Sequence, residues 1–259
     1  MVNSQARSRR RKSLAIKGAV VAVVIAALTV TGFIIAGSAQ DEIASSGPVP
    51  DNGNIYGGIK VPAPEKRDET DLHVDLASIP PAAAEGIPAG VAPAKEGEPV
   101  KVVLYLDPNC THCADFEEAY GPLLEARVQD GLIDLETRSV AFLDRASPTN
   151  YSSRASNAMA CVADWTPEHY LEFTRSMFRA SQEGGELANK DLIELAGRFD
   201  VPNAEECITE GTFRPYVKFG TAAAEAHGIT STPSVFIDGK AWTLGDDLAA
   251  ALPAPEADQ

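Results

Sequence analysis

The sequence predicts an α/β domain in which a block of helices is inserted between a βαβ half and a ββα half. Three observations carry that prediction. Val100 to Leu106 (VKVVLYL) is a nearly continuous β-branched and apolar run, as in a strand covered on both faces. From about residue 148 to 216 the apolar residues recur at helical spacing. Strand character returns at Pro233-Ser234-Val235-Phe236-Ile237, where Asp238-Gly239 supplies a hairpin turn signal.

The folded region is expected over residues 99–252, followed by a short tail at 253–259. After the first strand, Asp107-Pro108-Asn109 is a turn signal. Ala114 to Val128 then places Phe116, Ala119, Tyr120, Leu123, Leu124 and Val128 at helical spacing, with Pro122 expected to kink the helix. A second strand at about 133–142 completes the βαβ unit. Within the insertion, Thr166-Pro167-Glu168 reads as an N-cap, a proline at the first helical position and an acid in the first turn. Leu192, Ile193, Leu195, Ala196 and Phe199 make an amphipathic stripe. Asn203-Ala204-Glu205-Glu206 has the form of a capping box, with Gly211 as its stop. A final helix is expected from about Gly245 to Leu252.

The N-terminal part is not globular in composition. Residues 1–17 hold six basic residues and no acid, and read as a cytoplasmic tail. Residues 18–37 (GAVVAVVIAALTVTGFIIAG) are uncharged and long enough to span a bilayer as one helix. A signal anchor is the expectation; cleavage near Ala39 is the alternative, and both export the rest of the chain. Residues 38–98 are rich in Pro, Gly, Ala and Glu and read as a spacer, with Asp71 to Leu76 alternating as an edge strand added to the following domain. All 37 acidic residues lie after position 40, against 16 of the 22 basic ones, for a formal charge of −21. That field repels nucleic acid and excludes a nucleic-acid function.

Export changes how the four cysteines are read, because disulfides persist outside the cytosol. Cys110-Thr111-His112-Cys113 follows a strand and a turn and opens a helix. A sulfur at that point meets unpaired backbone N–H groups and the positive end of the helix dipole. Cys110 is therefore the expected attacking sulfur. Cys113, one helical turn on, is the expected resolving thiol, and His112 can stabilise the Cys110 thiolate as a cation or donor. A structural disulfide or half a zinc site is the bland reading of such a spacing. Zinc would need Cys161 and Cys207, and neither has a ligand partner nearby in sequence.

Thr232-Pro233 opens the late strand, where a proline can be a simple edge residue. Across from Cys110, a cis bond there would instead present backbone groups to an extended substrate chain. Cys161 and Cys207 remain as the second pair in the helical insertion. A structural disulfide is expected; two buried free thiols or a second redox centre are the alternatives. Trp165 and Trp242 read as packing residues, and His73, His169 and His227 carry no signature on their own.

With these residues in place, VVLYLDPNCTHCADFE, the helical insertion and ITSTPSVFIDGK together resemble a DsbA-like thioredoxin-fold oxidoreductase of the membrane-anchored actinobacterial kind. The resemblance implies a thioredoxin fold with an inserted helical subdomain, with no cofactor beyond a redox-active Cys110–Cys113 disulfide. It implies Cys110 as nucleophile, Cys113 as resolving thiol, His112 as tuner and Thr232-Pro233 as the substrate-facing cis-proline loop. Its partners would be exported polypeptides with reduced cysteines and a membrane quinone-linked reoxidase, either DsbB-like or resembling vitamin K epoxide reductase. Disulfide donation is the expected direction; reductase or isomerase action, or a non-enzymatic envelope chaperone, are the other readings. Residues 38–98 do not look like a dimerisation segment, so a monomer is expected. Two positions depart from the family pattern. Leu104 stands where many members carry a buried acid, and Thr111 replaces a common proline. Asp107 lies on the turn and is not assigned the missing acid's role.

Overall fold

The computed structural model describes residues 43–63 and 73–255. The basic tail, the apolar segment 18–37, the cleavage alternative at Ala39, residues 71–72 and the end of the C-terminal tail lie outside those residues. Among the described residues, no helix is long and apolar enough to cross a membrane.

The frame is a five-stranded sheet. Its central strand, β4 (Val100–Leu106), runs parallel to β5 (Ile133–Ser139) and antiparallel to β6 (Ser234–Ile237), which pairs with β7 (Lys240–Trp242). Asp238 and Gly239 turn the β6–β7 hairpin with positive φ at both positions, as the sequence predicts. Helix α1 (Thr111–Gln129) links β4 to β5 and runs on through Pro122. Along β4, Val102, Leu104 and Leu106 enter a core shared with Cys113, Phe116 and Leu124 of α1, whereas Val103 and Tyr105 pack with Val91, Ile229 and Phe236. Both faces of the strand are thus buried, which is why its sequence shows no polar alternation.

The inserted helices are α2 (Tyr151–Trp165), α3 (Tyr170–Gly184), α4 (Asn189–Gly197), α5 (Ala204–Glu210) and α6 (Arg214–Ala226). Cys161 of α2 and Cys207 of α5 form a disulfide, with an S–S distance of 2.06 Å. Two expected caps differ in detail. The Thr166 hydroxyl donates back to the Val162 carbonyl instead of capping forward. Asn203 adopts φ 53° and makes no side-chain cap, while Gly211 ends α5 in the left-handed region as predicted. The last helix, α7 (Leu248–Ala251), is a single turn capped by Asp247. Trp242 packs against Phe116 and Tyr120 of α1, whereas Trp165, expected in packing, is 45% exposed at the end of α2.

The larger difference lies in residues 43–63 and 73–98. The strand expected at 71–76 is β3 (His73–Asp75), and it does not extend the main sheet. It pairs antiparallel with β1 (Ser46–Pro48) in a separate ribbon against α6. The edge of the main sheet is instead β2 (Ile59–Val61), antiparallel to β5, with Ile59 and Val61 buried in the core and Lys60 exposed. Two contacts fix that strand. The Tyr216 hydroxyl donates to the Gly58 carbonyl at 2.8 Å. Gly57, at φ 81°, lies so close to Gly220 that a Cβ on it would sit 2.5 Å from the Gly220 Cα. Three alternating residues between glycines and a proline are too few to register as a strand from composition.

Candidate active site

The end of β4 delivers the chain into a turn in which the Cys110 N–H donates to the Asp107 carbonyl at 2.9 Å. Cys110 is the N-cap of α1, half-buried, with Cys113 fully buried one turn below it; both are free thiols. The Cys110 pKa falls from an ordinary value of 9.0 to about 5. The largest cause is the Cys113 thiol, which donates to the Cys110 sulfur. Partial burial opposes the shift, and the Thr232 side chain and the backbone N–H groups of Cys113 and His112 reinforce it. Burial pushes the Cys113 thiol strongly upward, and the neighbouring Cys110 sulfur adds to that. The two sulfurs are thereby separated into a stable thiolate and a retained proton.

Thr232 and Pro233 come to the same place on the chain leading into β6, the strand next to β4. The Thr232–Pro233 bond is cis, and as a thiol Cys110 Sγ donates to the Thr232 carbonyl at 3.4 Å. Four of the predicted site residues therefore meet around one sulfur. The His112 side chain does not join them. It is 78% exposed and turns toward Asp115, 3.9 Å away, so that His112 acts on the Cys110 sulfur through its backbone N–H. Cys161 and Cys207 belong to the core of the insertion. Among the described residues, no group of three or more His, Cys, Asp or Glu side chains is placed to hold a metal ion.

Two acids near the site are buried: Asp107, which the sequence places on the turn without a role, and Glu117, which the sequence does not single out. Asp107 has no exposed surface; its carboxylate accepts from the Asn109 N–H, the Leu143 N–H and the Ser152 hydroxyl. Glu117 is buried on α1, one turn after Cys113, and burial lifts its carboxyl to about 7 against the opposing pull of Arg175. A four-residue offset from Cys113 on the apolar face of a helix was the available signal for Glu117. For Asp107 the sequence shows its closeness to Cys110 and its turn chemistry, but not its burial.

A family model described as thioredoxin matches residues 94–250. Comparison with curated proteins finds no match. Among solved structures, the chain is similar to oxidised DsbA of Mycobacterium tuberculosis, with 29% identity and a TM-score of 0.51 over 61% of this chain and 84% of that one. It is also similar to the reduced disulfide bond oxidoreductase DsbG of the same organism, with 30% identity and a TM-score of 0.53 over 63% and 81%. The thiol-disulfide oxidoreductase MdbA of Corynebacterium matruchotii shares the fold at 18% identity, with a TM-score of 0.57 over 84% and 96%.

Proposed function

We propose, for a chain that belongs to the thioredoxin family and is homologous to its thiol–disulfide oxidoreductases, that it introduces disulfide bonds into exported polypeptides through Cys110 and Cys113. The observation that carries this reading is the pairing of a half-buried Cys110 at a helix N-cap with a buried, proton-retaining Cys113. In the oxidised enzyme a substrate thiolate attacks Cys110 Sγ. The Cys110–Cys113 bond breaks, and Cys113 leaves with the electron pair and takes a proton. A second substrate thiolate then attacks the substrate sulfur of the mixed disulfide and expels Cys110 as a thiolate. Two electrons pass from substrate to enzyme, and the substrate gains one S–S bond. Because a low-pKa thiol is the better leaving group, this geometry favours release of oxidised substrate.

The Thr232 and Pro233 backbone is the surface against which an extended substrate would lie, held beside the sulfur by the turn into β6. Export is supported by the uncharged run 18–37 behind a basic tail, and the Cys161–Cys207 disulfide suits an oxidising compartment. On this reading residues 18–37 anchor a monomeric enzyme in the cell membrane, and a quinone-linked membrane partner reoxidises the Cys110–Cys113 pair. The test is reactivation of a reduced, unfolded disulfide enzyme. The oxidised protein should restore its activity stoichiometrically and Cys110→Ser should not. Full reactivation by Cys110→Ser refutes the site.

A further inference from the structure

We propose that the buried carboxylate of Asp107, built into the turn that carries Cys110, opposes negative charge on the Cys110 sulfur and so holds the centre short of its full oxidising strength. This rests on the reading of Cys110 and Cys113 as the redox pair. Asp107 touches no substrate; it is a positioning residue that acts through Cys110.

Four hydrogen bonds fix it. Its carbonyl accepts from the Cys110 N–H at 2.9 Å. One carboxylate oxygen accepts from the Asn109 N–H at 2.9 Å and from the Ser152 hydroxyl of α2 at 2.6 Å. The other accepts from the Leu143 N–H, just beyond β5, at 2.9 Å. The catalytic turn is thus tied to the helical insertion and to the segment after β5 by one side chain. All three donors are neutral, so the carboxylate gains hydrogen bonds but no counter-cation from them.

Turn chemistry alone does not require this charge. An asparagine or serine at the first position also caps the following backbone N–H. An aspartate adds a formal negative charge three residues before a sulfur that becomes negative in the reduced enzyme. Because Asp107 has no exposed surface, water does little to weaken the interaction between the two charges. Burial pushes the Asp107 carboxyl upward most strongly, its three hydrogen bonds pull it back down, and the Cys110 sulfur adds a smaller upward push. The Cys113 thiol is hydrogen-bonded to the Asp107 backbone, and the Tyr151 phenol interacts with Asp107, with Arg154 and Glu186 bearing on that phenol. A thiolate formed beside such a group is less stable than its helix N-terminus alone would make it. A less stable reduced form means a weaker oxidant.

The electrostatic role and a purely structural one predict opposite signs. If Asp107 only holds the turn, Asp107→Asn loosens Cys110 from the N–H groups of α1, and the thiolate becomes harder to form. If the charge opposes the thiolate, Asp107→Asn lowers the Cys110 pKa by about one unit and makes the couple roughly tenfold more oxidising against glutathione. The full-length protein and the variant are titrated side by side. A raised or unchanged Cys110 pKa in the variant, with the wild-type couple intact, overturns the inference alone. A wild-type protein with no reversible Cys110–Cys113 couple overturns the underlying reading and the inference with it. The wild-type protein also supplies a reading that needs no variant to fold, because coupling between two sites is reciprocal. Carboxyl NMR or isotope-edited infrared should find Asp107 binding its proton more tightly in the reduced enzyme than in the disulfide form. Equal proton affinity in both redox states overturns the proposal.

Discussion

Glu117 offers a quantitative test of the packing beneath the active-site helix. It is 5% exposed, and its carboxyl is raised from 4.5 to about 7, burial outweighing the favourable pull of Arg175. The unfolded chain ionises near 4.5, and the folded chain resists ionisation until about 7. Stability from this group is therefore fully present below pH 4.5 and is lost as pH rises through 7. A shift of that size, at ~1.4 kcal/mol per unit, corresponds to a loss of about 3 kcal/mol on the alkaline side. Glu117→Gln removes the titration while keeping size and shape. Buried amide donors left without partners add a pH-independent cost of ~1–3 kcal/mol, so the absolute stability of the variant is a poor measure. The difference between the two proteins as a function of pH is the informative quantity, since titrations elsewhere cancel. Urea unfolding of both proteins from about pH 4 to about pH 8 should show the variant gaining on the wild type by about 3 kcal/mol across that range. A difference that stays flat with pH would mean that Glu117 ionises as readily folded as unfolded, and the reasoning from burial would fail.

Other outcomes follow from the same geometry. Replacing Cys161 and Cys207 together with alanine opens a loop closed across a sequence separation of 46. Unfolding should be easier by up to ~4 kcal/mol, while the Cys110 pKa and the glutathione equilibrium stay put; a changed equilibrium would make this pair part of the redox chemistry. Thr232→Val removes the side-chain donor that helps to stabilise the Cys110 thiolate and should raise the Cys110 pKa; no change in the pH titration would remove Thr232 from the site's electrostatics. Gly57→Ala puts a Cβ against the Gly220 backbone at a residue with φ 81°. The backbone conformation alone costs ~1–2 kcal/mol, and hydrogen exchange should quicken along β2 and its partner residues 135–137 of β5. Unaltered protection there would show that β2 is held by something other than this close approach.

The parts of the fold legible in the sequence are those whose pattern is local. Val100–Leu106 declares itself because a strand buried on both faces must be apolar throughout, and Asp238-Gly239 because positive φ at two successive positions selects those residues. Cys110 and Cys113 were legible for the same reason, since the strand, turn and helix that define their environment are contiguous with them. What the sequence hides depends on distant partners. Ile59–Val61 is a strand only because β5 offers an open edge, and its short run among glycines carries no period of its own. His73–Asp75 alternates correctly, yet alternation does not say which strand it meets. Asp107 reads as an ordinary turn residue until Ser152 and Leu143, 45 and 36 positions away, close over it. His112 shows the converse, a residue whose type suggests a role that its outward rotamer does not fill.

The central claim is that Cys110 is a stabilised thiolate whose partner keeps its proton. It is tested most directly by following the ultraviolet absorbance of the thiolate in the reduced full-length protein as a function of pH, with Cys110→Ser as the blank. The account predicts one inflection with a midpoint near pH 5 that vanishes in Cys110→Ser, and no second thiolate through neutral pH. A single inflection at an ordinary thiol value near 9 would contradict it.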